Sequence, residues 1–259
     1  MGSLTIPELL VVDFTKEEMK PGSISWSTSC KEIRRALENH GCFVALYDKI
    51  STHLHKSIFK AADELFDLPT EVKIQNKNDK PYHGYVGQMP IVPLHEGLGI
   101  DYSTTLEGAQ GFTNLMWPNG NDSFCETSRT FAKTVAELEK LVIKMLFESY
   151  GPQHFESHIE LLTLLIIFYC LVINEAWSNN KVLSPNHKVT LHKNGIKETR
   201  YTIALFSFLS KMVKVPEEFV DDDENPLQFK PFVHVDLLKF YDTDHGRRSQ
   251  NILKDFCGV

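Results

Sequence analysis

The sequence lacks the cysteine pattern of a cross-linked or zinc-bearing protein. Its five cysteines (Cys30, Cys42, Cys125, Cys170, Cys257) are odd in number, scattered and free of C-x-x-C spacing. That excludes a disulfide framework and a cysteine-built zinc site, and fits free thiols in a reducing compartment. Positive charge is short as well. Against 34 acidic residues stand 27 Lys and Arg, leaving −7 and no basic tail, so neither nucleic acid nor an anionic membrane is the expected partner. Long apolar runs are missing too. The most apolar stretch, Leu161 to Ile173, is interrupted by Thr163 and falls short of the about 20 residues a membrane span needs. No charged-then-apolar leader follows the start. Met1-Gly2-Ser3-Leu4-Thr5-Ile6 misses the myristoylation pattern because its hydroxyl residues are out of place. Together these absences predict a cytoplasmic protein. There is no internal repeat and no low-complexity segment.

What is present is ordinary in bulk and informative in detail. Apolar residues make up 42% of 259 and charged residues 24%, as in soluble globular proteins. Ile6-Pro7-Glu8-Leu9-Leu10-Val11-Val12-Asp13 reads as an opening strand. A helix is predicted from about Ser27 to Asn39, with Ile33, Ala36 and Leu37 on one face. Gly41 ends it, and Cys42-Phe43-Val44-Ala45-Leu46 reads as a buried strand. Ser51 is placed to cap a second helix, whose Leu54, Ile58, Ala61, Ala62 and Leu65 keep a 3.6 period until Pro69. From Asn76 to Asp122 the chain is rich in Gly, Pro and Asn without sustained periodicity, the signature of a functional cover or a set of short strands and turns. The longest helix is predicted over Ser123 to Tyr150, with Phe131, Val135, Leu138, Val142, Met145 and Leu146 as its stripe and Gly151-Pro152 as its stop. The chain thus divides into an N-terminal helical and strand region, 1–122, and a region 123–259 made of the long helix, a core and a C-terminal helix.

The most informative stretch runs from Ser184 to Thr202. Asn194-Gly195 within it is a strong hairpin signal, since both central residues of a type I′ turn need positive φ. With those two as the loop, Lys193 faces Ile196, Val189 lies opposite Arg200, and His187 lies opposite Thr202. Paired and alternate residues share a face of a sheet, so His187, Arg200 and Thr202 project from one side. An imidazole, a guanidinium and a hydroxyl so arranged suit a metal and a carboxylate, the planar fork of arginine binding both carboxylate oxygens. The same residues also read as an exposed polar face on an ordinary hairpin, and a one-residue slip in register reverses every assignment.

These residues lie in a run that resembles plant iron(II)/2-oxoglutarate-dependent dioxygenases. The matching pieces are Ala176-Trp177-Ser178-Asn179, Ser184-Pro185-Asn186-His187-Lys188-Val189, and Arg200-Tyr201-Thr202 followed by Ala204-Leu205-Phe206-Ser207. Further matches are His40-Gly41-Cys42-Phe43, Leu65-Phe66-Asp67-Leu68-Pro69, Pro81-Tyr82-His83-Gly84-Tyr85, Trp117-Pro118-Asn119-Gly120-Asn121 and Phe229-Lys230-Pro231-Phe232. They cover nearly the whole chain in order, and look most like the branch that includes glucosinolate side-chain dioxygenases. The resemblance implies Fe(II) and 2-oxoglutarate as cofactors, a small plant metabolite as substrate and oxidative modification as the activity. It assigns His187 as the last iron ligand, and Arg200 with Thr202 (serine in the family) as the anchor for the far carboxylate of 2-oxoglutarate. It also implies a monomer and an α+β fold, a double-stranded β-helix (jelly roll) with N-terminal helices packed against it.

One part of the family pattern is missing. Two histidines and one carboxylate bind the iron, and the first His and the acid come as H-x-D upstream of the final His. Between Gly151 and His187 the only histidines are His154 and His158, and no H-x-D occurs there. The sequence passes almost directly from a family-like Leu162–Leu165 region to Val172-Ile173-Asn174-Glu175-Ala176-Trp177, with a join within Ile166 to Leu171. The pairs His154/Glu156 and His158/Glu160 stand where the resemblance places helix, on which i and i+2 residues diverge. His234-Val235-Asp236 is a literal H-x-D, but it follows His187 and falls in the resemblance's C-terminal helix. Arg247-Arg248-Ser249 imitates the carboxylate anchor in the wrong region, and His53 and His55 flank a helix start. A single imidazole does not hold Fe(II) selectively against water. The expectation is therefore an incomplete jelly roll, with little or no oxygenase turnover and with sheet edges and apolar surface uncovered. The alternative is a non-catalytic protein that binds a small carboxylate or a partner.

Overall fold

The computed structural model describes residues 8–81, 83–90, 92–151, 171–185, 187, 199–206, 212–221 and 223–259. The chain forms two compact units, one built from 1–48, 138–189 and 206–259, the other from 49–137 and 190–205.

In the first unit, β1 (Val11–Asp13) pairs in parallel with β2 (Val44–Leu46), joined through α1 (Ile24–His40). The N-terminus of α1 is capped by Ser23, whose Oγ accepts from the Trp26 N–H at 3.0 Å. Its end is set by Gly41, at φ 69°, a left-handed conformation that costs glycine little. Trp26, Cys30, Ile33 and Leu37 line the inner face of α1 and meet Val12, Val182 and, from the end of α5 (Asp122–Tyr150), Val142, Met145 and Leu146. Ile143 and Phe147 of α5 enter a second cluster with Ile173, Ala176 and Trp177 of α6 (Leu171–Trp177) and with Phe219, Phe229, Leu237 and Leu253. This cluster is closed by three short helices, α7 (His234–Tyr241), α8 (Asp244–Arg248) and α9 (Ile252–Cys257). Met212–Val213 (β5) and Phe232–Val233 (β6) form an antiparallel pair beside them.

The second unit begins with α2 (Thr52–Phe66), capped by Ser51 as its sequence predicts, with Ile58, Ala61, Ala62 and Leu65 buried. After α3 (Thr70–Lys73) come β3 (Tyr85–Val86) and β4 (Gly97–Leu98), an antiparallel pair, and then α4 (Leu106–Met116). Ala61, Leu65, Phe112, Met116 and Phe124 make its core.

Two expectations change. The aperiodic stretch after Asn76 contains a real helix, α4, capped by Thr105, whose Oγ1 accepts from the Gly108 N–H at 3.0 Å. Its apolar residues Leu106, Ala109, Phe112 and Met116 do keep helical spacing, but Gly108 and Gly111 obscure it. The segment around β2 is not buried: Val44 is 42% and Leu46 48% exposed. A two-stranded ribbon covers its strands far less than the interior of a large sheet does.

Among the described residues the strands form three two-stranded sheets and no closed barrel. The architecture is α+β and dominated by helix. The Asn194-Gly195 hairpin, His154, His158 and the run from Leu161 to Cys170 lie outside the described residues.

Candidate functional site

His187 sits at the end of a segment fixed by motif residues. The Leu183 N–H donates to the Leu37 carbonyl at 3.0 Å, the Val182 N–H to Ser178 Oγ at 2.8 Å, and the Ser184 N–H to Glu175 Oε2 at 3.1 Å. A Cβ on Gly41 would meet the Leu183 carbonyl at 2.4 Å and Pro185 Cδ at 2.6 Å, so only glycine admits this approach. Burial raises the Glu175 carboxyl, against which the Ser184 N–H and the Lys254 ammonium pull it down. The His187 side chain itself is exposed, with Nδ1 3.1 Å from the Pro185 carbonyl oxygen.

Arg200 and Thr202 belong to the other unit. Exposure alternates residue by residue: Arg200, Thr202 and Ala204 are exposed, while Tyr201, Ile203 and Leu205 are half-buried. That is the period of an extended chain, so the guanidinium and the hydroxyl share the outward side. Between them, the Tyr201 hydroxyl donates to Asp63 Oδ1 at 2.6 Å and its ring lies 5.9 Å from that of Phe66. Donation to Asp63 pushes the phenol up to about 12. Nothing in the sequence pairs Asp63 with Tyr201, although the alternation that turns Arg200 and Thr202 outward turns Tyr201 the other way.

A second polar cluster also escaped the sequence. Lys73, 4% exposed, donates from Nζ to the Phe66 carbonyl at 2.8 Å and to Glu96, which also accepts from the Tyr85 hydroxyl at 2.6 Å. Partial burial pushes the Glu96 carboxyl up, but Tyr85 and Lys73 more than offset this and hold it below the usual range. No sequence signal separates Lys73 from any other lysine near a helix end.

Among the described residues, no three His, Cys, Asp or Glu side chains gather where a metal ion could be held. His234 is buried and Asp236 mostly exposed at the start of α7, so the literal H-x-D diverges as its helical placement requires. His53 and His55 lie exposed in the first turn of α2, and Arg247 and Arg248 are exposed on α8. The described donor set therefore does not fit a facial iron triad.

A helix-rich α+β fold does not by itself define a function, and the comparisons with known proteins supply the class. Residues 10–107 match the family described as "non-haem dioxygenase in morphine synthesis N-terminal". The probable 2-oxoglutarate-dependent dioxygenase AOP1.2 of Arabidopsis thaliana is 31% identical over 315 aligned positions, covering 96% of each chain. Because this chain has only 259 residues, dozens of those positions have no counterpart in it. The probable inactive 2-oxoglutarate-dependent dioxygenase AOP2 of the same plant is 37% identical over 163 residues, covering 62% of this chain and 40% of that one. Among solved structures, the dioxygenase for auxin oxidation of rice superposes with a TM-score of 0.67 at 17% identity, over 97% of this chain and 100% of that one, a likeness of fold. The chain belongs to the 2-oxoglutarate-dependent dioxygenase family.

Proposed function

We propose that this chain is a 2-oxoglutarate dioxygenase scaffold without its iron cage, and that it carries little or no oxygenase turnover. The observation that carries the reading is the missing H-x-D between Gly151 and His187. The 315-position alignment to a chain of 259 residues supports an internal loss, as does the sparse strand content of the described residues. When bound, iron would supply the redox chemistry of the family. Of the expected triad this chain brings His187 alone, too few ligands to hold iron selectively against water.

A second reading is favoured by a specific observation. Arg200 and Thr202 lie on one outward side of their segment, available to a carboxylate through charge-assisted hydrogen bonds. On this reading the protein is a non-catalytic binder of small carboxylates. It is taken to be a cytoplasmic monomer; among the described residues no helix is long and apolar enough to cross a membrane.

Calorimetric titration of the purified full chain with 2-oxoglutarate, with and without Fe(II), separates the readings. Absence of binding in both cases is the outcome for an inert scaffold. Binding that ignores the metal supports the carboxylate binder. Binding that requires iron contradicts both, and means that unusual ligands complete the site.

A further inference from the structure

Resting on the carboxylate-binding reading, we propose that Tyr201 and Asp63 are a positioning pair for the site at Arg200 and Thr202. Tyr201 is the one residue between the two proposed ligand groups, and it is fastened at two points to the same helix. Its hydroxyl donates to Asp63 Oδ1 at 2.6 Å, and its ring sits 5.9 Å from Phe66, one turn further along α2. That helix is itself rigidly seated, capped by Ser51 and buried through Ile58, Ala61, Ala62 and Leu65.

The consequence is geometric. Neighbouring residues of an extended chain project to opposite sides, so holding Tyr201 inward commits Arg200 and Thr202 to the outward side together. Without the anchor the segment can turn about its own axis, and each ligand group must be ordered when the carboxylate arrives. A pre-set orientation removes part of that cost. Asp63 does not act through its charge on the ligand, because a carboxylate acting so would repel a dicarboxylate. Its part is to accept the hydrogen bond from the Tyr201 hydroxyl, which an amide oxygen also does.

The test is ligand-detected NMR titration of the metal-free full chain with 2-oxoglutarate, with thermal melts to verify that each variant is folded. Tyr201→Phe and Asp63→Ala are each expected to weaken binding about fivefold, the loss of one hydrogen bond. The double variant is expected to be no weaker than either single one, since both remove the same link. Asp63→Asn is expected to restore near-native affinity. Wild-type affinity in Tyr201→Phe, or Asp63→Asn binding as weakly as Asp63→Ala or more tightly than wild type, overturns the pairing while the carboxylate site stands. Failure of the wild-type chain to bind, or binding unaffected by Arg200→Ala, overturns the site and the pairing with it.

Discussion

At the scale of single residues, the motifs that identify the family are also structural hubs, and the sequence announces the first role without the second. Asn179 closes the Ala-Trp-Ser-Asn motif. In the fold it stands at φ 52°, donates from Nδ2 to the carbonyls of Phe219 and Pro226, and accepts from the Gln228 N–H. One buried side chain thus ties the end of α6 to a segment forty or more residues further along the chain. Asn179→Ala is expected to destabilise the protein by about 2–4 kcal/mol, because it strands buried backbone groups. Asn179→Gly relieves the positive φ but not the lost bonds, so it is expected to lie between alanine and wild type in chemical denaturation. Glycine as unstable as alanine means that the hydrogen bonds alone matter. None of these partners can be paired from sequence, since nothing local marks Phe219 or Gln228 as neighbours of Asn179.

At the scale of elements, periodicity and caps were legible, and long-range polar contacts were not. Ser51 and the apolar spacing from Leu54 to Leu65 define α2 almost to the residue, and Gly41 ends α1 where its left-handed backbone is needed. In α4, glycine masks the helix for a physical reason: a Cβ on Gly108 would meet the Tyr102 carbonyl at 2.4 Å, so close approach took precedence over helix propensity. The β3–β4 pair is held to α3 by Lys73 and Glu96, and this contact carries a pH signature. The folded-state Glu96 carboxyl lies below its ordinary value, so its stabilisation is present above the usual glutamate range and is lost as pH falls through the lowered value. Wild type is therefore expected to lose stability on acidification through that range more steeply than Glu96→Gln. Denaturation midpoints of the two proteins between pH 6 and about 3 check this, and parallel profiles contradict it.

At the scale of the whole molecule, fold and site separate. Family membership could be read from ordered motifs across nearly the whole chain, and the relatives bear it out. The candidate site was legible only in part. His187, Arg200 and Thr202 stand out by residue type, but their mutual geometry rests on a hairpin outside the described residues, and His187 falls in a different compact unit from the other two. The central claim is the proposal that the chain lacks the H-x-D its family uses and therefore turns over little or no substrate. It is tested most directly by succinate formation, with purified full-length protein incubated with Fe(II), ascorbate, oxygen and 2-oxoglutarate. The expected result is succinate at the level of the protein-free control, unchanged in His187→Ala. Iron-dependent succinate that His187→Ala abolishes would show that this chain completes its iron site by other residues, and the account would be wrong.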